Sequence, residues 1–208
     1  MLKAPVAGAV KTRLARGVGA ARAAAIYREL AVRQVRALPP DWPAAVHFAP
    51  ARAGRGMRRW LEADRAAPSR PLRFVPQPRG SLGPRLVAAF AAEFRRGARG
   101  VVVIGGDCPY LSRAVLRRTA RALRTADLVI GPACDGGYYL IALRRLHRGL
   151  FRKIDWSTPR VFAQTMERAR SAGLQARLLP ALEDVDDLAT WRRAVAAGVL
   201  AAPGRKGR

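Results

Sequence analysis

"VVVIGGD", residues 101–107, is the stretch on which the fold turns. Four β-branched apolar residues in succession read as a strand buried on both faces, because a half-exposed strand would alternate apolar with polar residues. It ends in two glycines and an aspartate, and a helical pattern follows over about 112–125. A buried strand opening into a glycine turn and then a helix is the repeating unit of a sheet covered by helices.

Outward from this stretch the alternation holds. Upstream, the spacing predicts a helix over 20–38, stopped by Pro39 and Pro40, a strand at 44–50, a short helix at 56–64 and a strand at 72–77. A helix at 84–98 follows, with Pro84 near its first turn. Downstream, strands at 127–133 and 138–144 flank a glycine turn. A helix begins in "STPRVF" with Thr158 as N-cap, Pro159 at its first position and Gly173 closing it. A strand at 174–180 and a helix over 186–200 complete the pattern. The reading is one three-layer α/β/α domain over 1–202 with a mostly parallel central sheet. The stretch 49–56 reads as a surface loop and 203–208 as a disordered basic tail.

Charge is the strongest compositional feature. The chain has 208 residues, 39 basic against 14 acidic, and a net charge of +25. Such a balance invites nucleic acid or phosphorylated small molecules. Only four of the basic residues are Lys (3, 11, 153, 206), and Arg is spread through every segment. Aromatic–basic interleaving and zinc spacing are both missing, so specific nucleic-acid recognition is not expected. Cys108 and Cys134 show no C-x-x-C spacing. No apolar run reaches the ~18 residues a membrane span requires. The expectation is a soluble cytoplasmic protein with reduced thiols and no membrane partner.

Four segments carry residues fit for chemistry. "KAPVAGAVKTRL" (3–14) offers Gly8 for close backbone approach and Lys3, Lys11 and Arg13 for phosphate oxygens. "GGDCP" presents Asp107 at the end of a buried strand, where a carboxylate can hold Mg²⁺ or Mn²⁺ together with substrate phosphates. It could equally stabilise a turn. "ACDGGYYL" places Asp135 beside Gly136 and Gly137, a combination that also makes a tight turn, followed by Tyr138 and Tyr139 on opposite faces. "LEDVDDLATW" offers Asp184, Asp186 and Asp187 where a helix starts; each is a candidate second metal ligand and each a candidate N-cap. His47 and His147 have no nucleophile partner and read as packing or surface groups.

"KAPVAGAVKTRL", "QPRGSLGPRL", "IGGDCPYL", "GPACDGGYYLIAL", "FRKIDWSTPRV" and "EDVDDL" stand in an order that resembles the rSAM/selenodomain-associated transferase 1 family, over nearly the whole chain. The resemblance implies the GT-A, nucleotide-diphospho-sugar transferase fold and a metal-dependent transferase. It places Lys3, Pro5, Gly8, Lys11, Arg13, Gln77 and Arg85 on the nucleotide side, and Asp107 with Asp186 at the metal. Asp135, Gly136, Gly137 and Tyr138 fall beside the acceptor, with Lys11, Arg13, Asp107 and Asp135 in catalytic roles. Two positions depart from the family pattern: Ser81 stands where an acid is usual, and "DVDDL" shortens the usual spacer, so Asp184 and Asp186 both remain candidates. Three readings stay open: glycosyl transfer from a nucleotide sugar to a small acceptor, nucleotidyl transfer from an NTP with release of pyrophosphate, and a non-catalytic nucleotide- or nucleic-acid-binding module.

One expectation concerns the first strand. In doubly wound sheets it is central and delivers the first phosphate loop. Here only Met1 and Leu2 precede that loop. The strand reads as truncated, by roughly five to eight residues against a usual ~5–6-residue strand. Met1 to Lys3 should lie where it would end, with a gap behind them.

Overall fold

The computed structural model describes residues 1–64 and 71–201; the tail at 203–208 lies outside the described residues. The elements run β1 (Leu2–Lys3), α1 (Thr12–Val18), α2 (Ala20–Arg36), β2 (Ala45–Ala49), α3 (Gly54–Ala63), β3 (Arg73–Pro76), α4 (Leu82–Phe94) and β4 (Val101–Ile104). They continue with α5 (Arg113–Ala122), β5 (Leu128–Pro132), β6 (Tyr138–Leu143), α6 (Val161–Ser171), β7 (Ala176–Leu178) and α7 (Leu188–Ala196). The α/β class is as the sequence predicts.

The strands form two ladders. β1, β2 and β3 make a parallel sheet in that order, and β4, β6, β5 and β7 make a second one. In the second, β6 runs antiparallel to both neighbours while β5 and β7 are parallel. The sheet is therefore less parallel than expected. The cause is local: β5 and β6 are joined by a turn at 133–137, too short for the crossover that parallel neighbours require.

Alternation along β5 and β6 feeds two cores. Leu128, Ile130, Ile141 and Leu143 pack with Leu86, Phe90 and Phe151 on one face. Val129, Leu140 and Ala142 pack with Leu116 and Leu123 on the other. This is the two-face burial that a continuous apolar run encodes. β4 departs from it: Val101 is buried, but Val102, Val103 and Ile104 are only half-buried. Beside them lies a cavity of about 800 Å³ reaching to β2.

Met1 and Leu2 stop at the mouth of that cavity. Leu2 and Lys3 pair in parallel with Phe48 and Ala49, and the Met1 ammonium donates to Ile104 O at 2.6 Å. The expected gap behind Met1 is present.

Several boundaries shift for identifiable reasons. The Thr158 hydroxyl donates to Asp155 O and accepts from Arg160 N, closing a turn before the helix, so α6 starts at Val161 rather than at Pro159. Gly173, at φ +65°, ends it as expected. α4 begins earlier than predicted, behind Ser81. The 49–56 loop shrinks because a short 3₁₀ turn, Ala51–Ala53, leads directly into α3. α1 lies inside what reads as the opening loop.

Candidate functional site

The opening loop leaves β1 with Ala4 N donating to Ala49 O and folds back through a bond from Ala9 N to Val6 O. Gly8 turns it at φ +80°, with open space where a side chain would stand. The loop ends on Lys11, a non-glycine residue in the left-handed region at φ 48°. Such a conformation is sterically costly and occurs where surroundings enforce it. Here the enforcement is electrostatic. Lys11 Nζ lies 2.7 Å from Asp107 Oδ2 and 2.9 Å from Asp186 Oδ1, with its side chain only 6% exposed. Burial opposes the charged form, but the two carboxylates outweigh it and hold the ammonium above its usual pKa. Arg13, in the first turn of α1, reaches the other oxygen of Asp186 at 3.2 Å.

Asp107 is delivered by β4 through two glycines, and the second is dictated by packing. A Cβ on Gly106 would fall 2.6 Å from Leu2 Cδ2. The acidic segment is brought alongside by a bond from Val185 N to Asp107 O, 3.0 Å long. The three candidate acids of that segment then separate by role. Asp187 caps α7, its carboxylate accepting from Thr190 N while the Thr190 hydroxyl accepts from Asp187 N. Asp186 faces Lys11 and Arg13. Asp184 turns inward, and its Oδ1 is buried without a hydrogen-bond partner. Burial, reinforced by the neighbouring Asp107 charge, pushes its pKa up to about 8.

These groups border a cavity of about 400 Å³ at the carboxyl ends of β1 and β4. Lys3, Lys11, Arg13, Gln77, Arg85, Asp107, Tyr138 and Asp186 all line it, so the structure gathers eight of the candidate residues from seven places in the chain. Gln77 is fixed by donating to His47 O at 2.7 Å. The buried Nε of Arg85 has no protein partner. Pro5, Gly8, Asp135, Gly136 and Gly137 are not in the lining. Asp135 accepts from Gly137 N at 2.9 Å, and Gly136, at φ +86°, packs so closely that a Cβ would stand 2.2 Å from Pro159 O. A tight turn between β5 and β6 accounts for all three. Tyr139 is also in the lining, but its hydroxyl donates to Pro180 O, and His47 packs against Glu93.

Tyr27 also lines the cavity, and sequence reasoning missed it. Its hydroxyl accepts from Lys3 N at 2.8 Å, and burial pushes its pKa to about 12. On an apolar helix stripe, nothing in the sequence distinguishes this ring from ordinary core.

As a metal site the cluster is partial. No three Asp, Glu, His or Cys side chains converge as a cage among the described residues. Two carboxylates do converge on one point of positive charge, now Lys11 Nζ. Two carboxylates suit a hard divalent cation whose remaining oxygens come from phosphates and water.

Also among the described residues, no helix is long and apolar enough to cross a membrane. No curated protein matches the chain. Among solved structures, a Desulfovibrio desulfuricans G20 protein provisionally named a nucleotide-diphospho-sugar transferase superposes with a TM-score of 0.85 at 29% identity. The match covers 99% of this chain and 89% of that one. Rv0371c from Mycobacterium tuberculosis H37Rv shares the fold at a TM-score of 0.50 and 18% identity, over 82% of this chain and 83% of its own. The profile of DUF2064, a family of uncharacterised proteins conserved in bacteria, spans residues 33–158, more than half the sequence and all of β2 through β6, and the chain belongs to that family.

Proposed function

We propose that the protein is a transferase that passes a sugar from a nucleoside diphosphate to a small acceptor. The observation that carries this reading is the cavity itself, where four basic side chains (Lys3, Lys11, Arg13, Arg85) face two carboxylates beside a glycine pair. That excess of cations suits a diphosphate, and the likeness to the Desulfovibrio protein and the motifs shared with the rSAM/selenodomain-associated transferase 1 family point the same way.

In the proposed reaction the bond between the anomeric carbon and the diphosphate oxygen breaks, an acceptor hydroxyl oxygen bonds to that carbon and releases its proton to solvent, and negative charge grows on the leaving diphosphate. Lys11 and Arg13 are placed to stabilise that charge, an effect that rises toward the transition state. Asp107 and Asp186 would hold Mg²⁺ or Mn²⁺, which would supply further positive charge at the same oxygens. Lys11 then has a second use: with no donor bound, its ammonium keeps the two carboxylates from repelling each other. Nucleotidyl transfer from an NTP is the second reading, favoured by the same count of cations, since a triphosphate has more charge to balance.

A thermal-shift panel of nucleotide sugars and NTPs, with and without Mg²⁺, tests this. A ligand at about 100 times its Kd adds about 2.7 kcal/mol. A nucleotide sugar with Mg²⁺ should raise Tm by several degrees, and Asp107→Asn and Lys11→Met should each abolish the rise. Release of a nucleoside diphosphate supports glycosyl transfer, whereas pyrophosphate release replaces it with the second reading. If no nucleotide raises Tm, both fail.

A further inference from the structure

A buried phenol stands at the cavity with a proton that the protein does not use. Tyr27 lies on α2, and its ring belongs to the apolar core that also holds Leu2, Val10 and Phe48. The residue is only 6% exposed, so packing fixes the ring. Its hydroxyl accepts from Lys3 N at 2.8 Å. A hydroxyl that accepts there has spent one lone pair and still keeps its single proton to donate. Among the described residues no oxygen takes that proton; the Lys3 amide is the partner this hydroxyl has. Buried polar groups in folded proteins almost always find partners for what they can donate. This one lines the cavity, so the acceptor it is built for is a ligand atom.

Position narrows the choice of atom. A Cβ on Gly106 would stand 3.4 Å from the phenolic oxygen, which puts the hydroxyl beside the turn that presents Asp107. The charges of Asp107 and Lys11 both reach it. It is therefore on the side of the cavity where cations gather, the place of a phosphate chain. The two cations nearest Asp186 are already engaged. Lys11 holds Asp107 and Asp186, and Arg13 holds the second oxygen of Asp186. Each must exchange a carboxylate for a phosphate when a ligand enters. Tyr27 exchanges nothing. A donor already fixed in place loses little to reorganisation, and a bond from O–H to an anionic oxygen is among the stronger hydrogen bonds.

We propose that Tyr27 is a ligand-binding residue, donating its phenolic proton to a phosphate oxygen of the nucleoside diphosphate while the Lys3 amide holds the hydroxyl in place. This rests on the transferase reading above and adds to it a neutral donor that no charged motif marks.

The test measures binding of inorganic pyrophosphate and of four nucleoside diphosphates (ADP, CDP, GDP, UDP), each with Mg²⁺, by calorimetry. Tyr27→Phe keeps the ring and removes the proton. It should weaken pyrophosphate and every diphosphate that binds by about tenfold or more. Amide exchange of Ala4 and Ala9 reports whether the opening loop has stayed in place and should be unchanged. A second form carries 3-fluorotyrosine at position 27, whose more acidic phenol is a better donor and a poorer acceptor. It should bind pyrophosphate more tightly than the wild type. Equal affinities of the wild type and Tyr27→Phe would overturn the proposal and leave the transferase reading standing. Weakening of the nucleoside diphosphates with pyrophosphate unaffected would overturn it too, because the acceptor would then lie on the nucleoside. So would a loss matched by release of the Ala4 and Ala9 amides, or weaker binding by the fluorinated form, since either makes Tyr27 a support for β1 alone. Failure of every probe to bind the wild type would remove the transferase reading, and this inference with it.

Discussion

Asp184 is the residue whose environment differs most from what its neighbours in sequence suggest. Three acids within four positions look equivalent, yet Asp187 caps a helix, Asp186 pairs with Lys11 and Arg13, and Asp184 is half-buried with one oxygen enclosed and unpartnered. Its folded pKa of about 8 lies above the ordinary carboxylate value of 3.8, so the folded state binds the proton more tightly than the unfolded one. The stability this group contributes is complete below about pH 4 and lost as pH rises toward and through 8. Asp184→Asn keeps the shape of the neutral acid and cannot ionise. The variant should melt near the wild type at pH 5 and above it at pH 8.5. Identical Tm-against-pH curves for the two proteins would show that Asp184 is ionised in the fold.

At the scale of elements, α7 and the end of β4 illustrate how similar motifs diverge. The capping box of Asp187 and Thr190 satisfies donors at the start of α7 that nothing else would. Asp187→Ala should therefore cost about 0.5–2 kcal/mol, read as a fall in Tm, while leaving any nucleotide-induced Tm rise intact. Asp186→Ala should do the reverse, with little change in basal Tm and loss of the nucleotide effect. If both variants lose only stability, the acidic segment has no part in ligand binding. Gly106 belongs to the same scale. Its missing Cβ lets Leu2 lie against the turn that presents Asp107, so β1 and β4 position the two sides of the cavity together.

Across the whole molecule, the charge of +25 raises the question of nucleic acid again. Most of the acids are already committed: Asp107 and Asp186 at the cavity, Glu93 between His47 and Arg73, Glu183 with Arg193, Asp155 with Arg160, Asp41 with Arg117, Asp64 with Arg28, Glu62 with Arg58 and Glu167 with Arg170. The remaining arginines are distributed over many elements. Such a surface attracts any phosphate backbone without reading bases. Binding to unrelated DNA duplexes of equal length should be weak and indistinguishable, and should fall about a hundredfold or more between 50 and 200 mM salt. Sequence-dependent binding that survives 200 mM salt would favour a nucleic-acid module over the transferase.

Much of this architecture was legible beforehand, and the divide has a physical cause. Periodicity is a local property, so "VVVIGGD" and the apolar runs at 128–132 and 138–143 declared strands, and Pro39, Pro40 and Gly173 declared ends, without reference to the rest of the chain. Local chemistry also marked Lys11, Asp107 and the acidic triplet as candidates. It could not sort the triplet, because capping, pairing and burial depend on which segments arrive alongside. That was decided by Val185 N bonding to Asp107 O and by Thr190 folding back on Asp187. Nor could it show that Asp135 to Gly137 form a turn outside the cavity, or that Tyr27 reaches it. The direction of β6 follows from a five-residue connection, but the cavity between β2 and β4 belongs to tertiary structure alone. Whether a strand's two edges are paired is settled by neighbours distant in sequence.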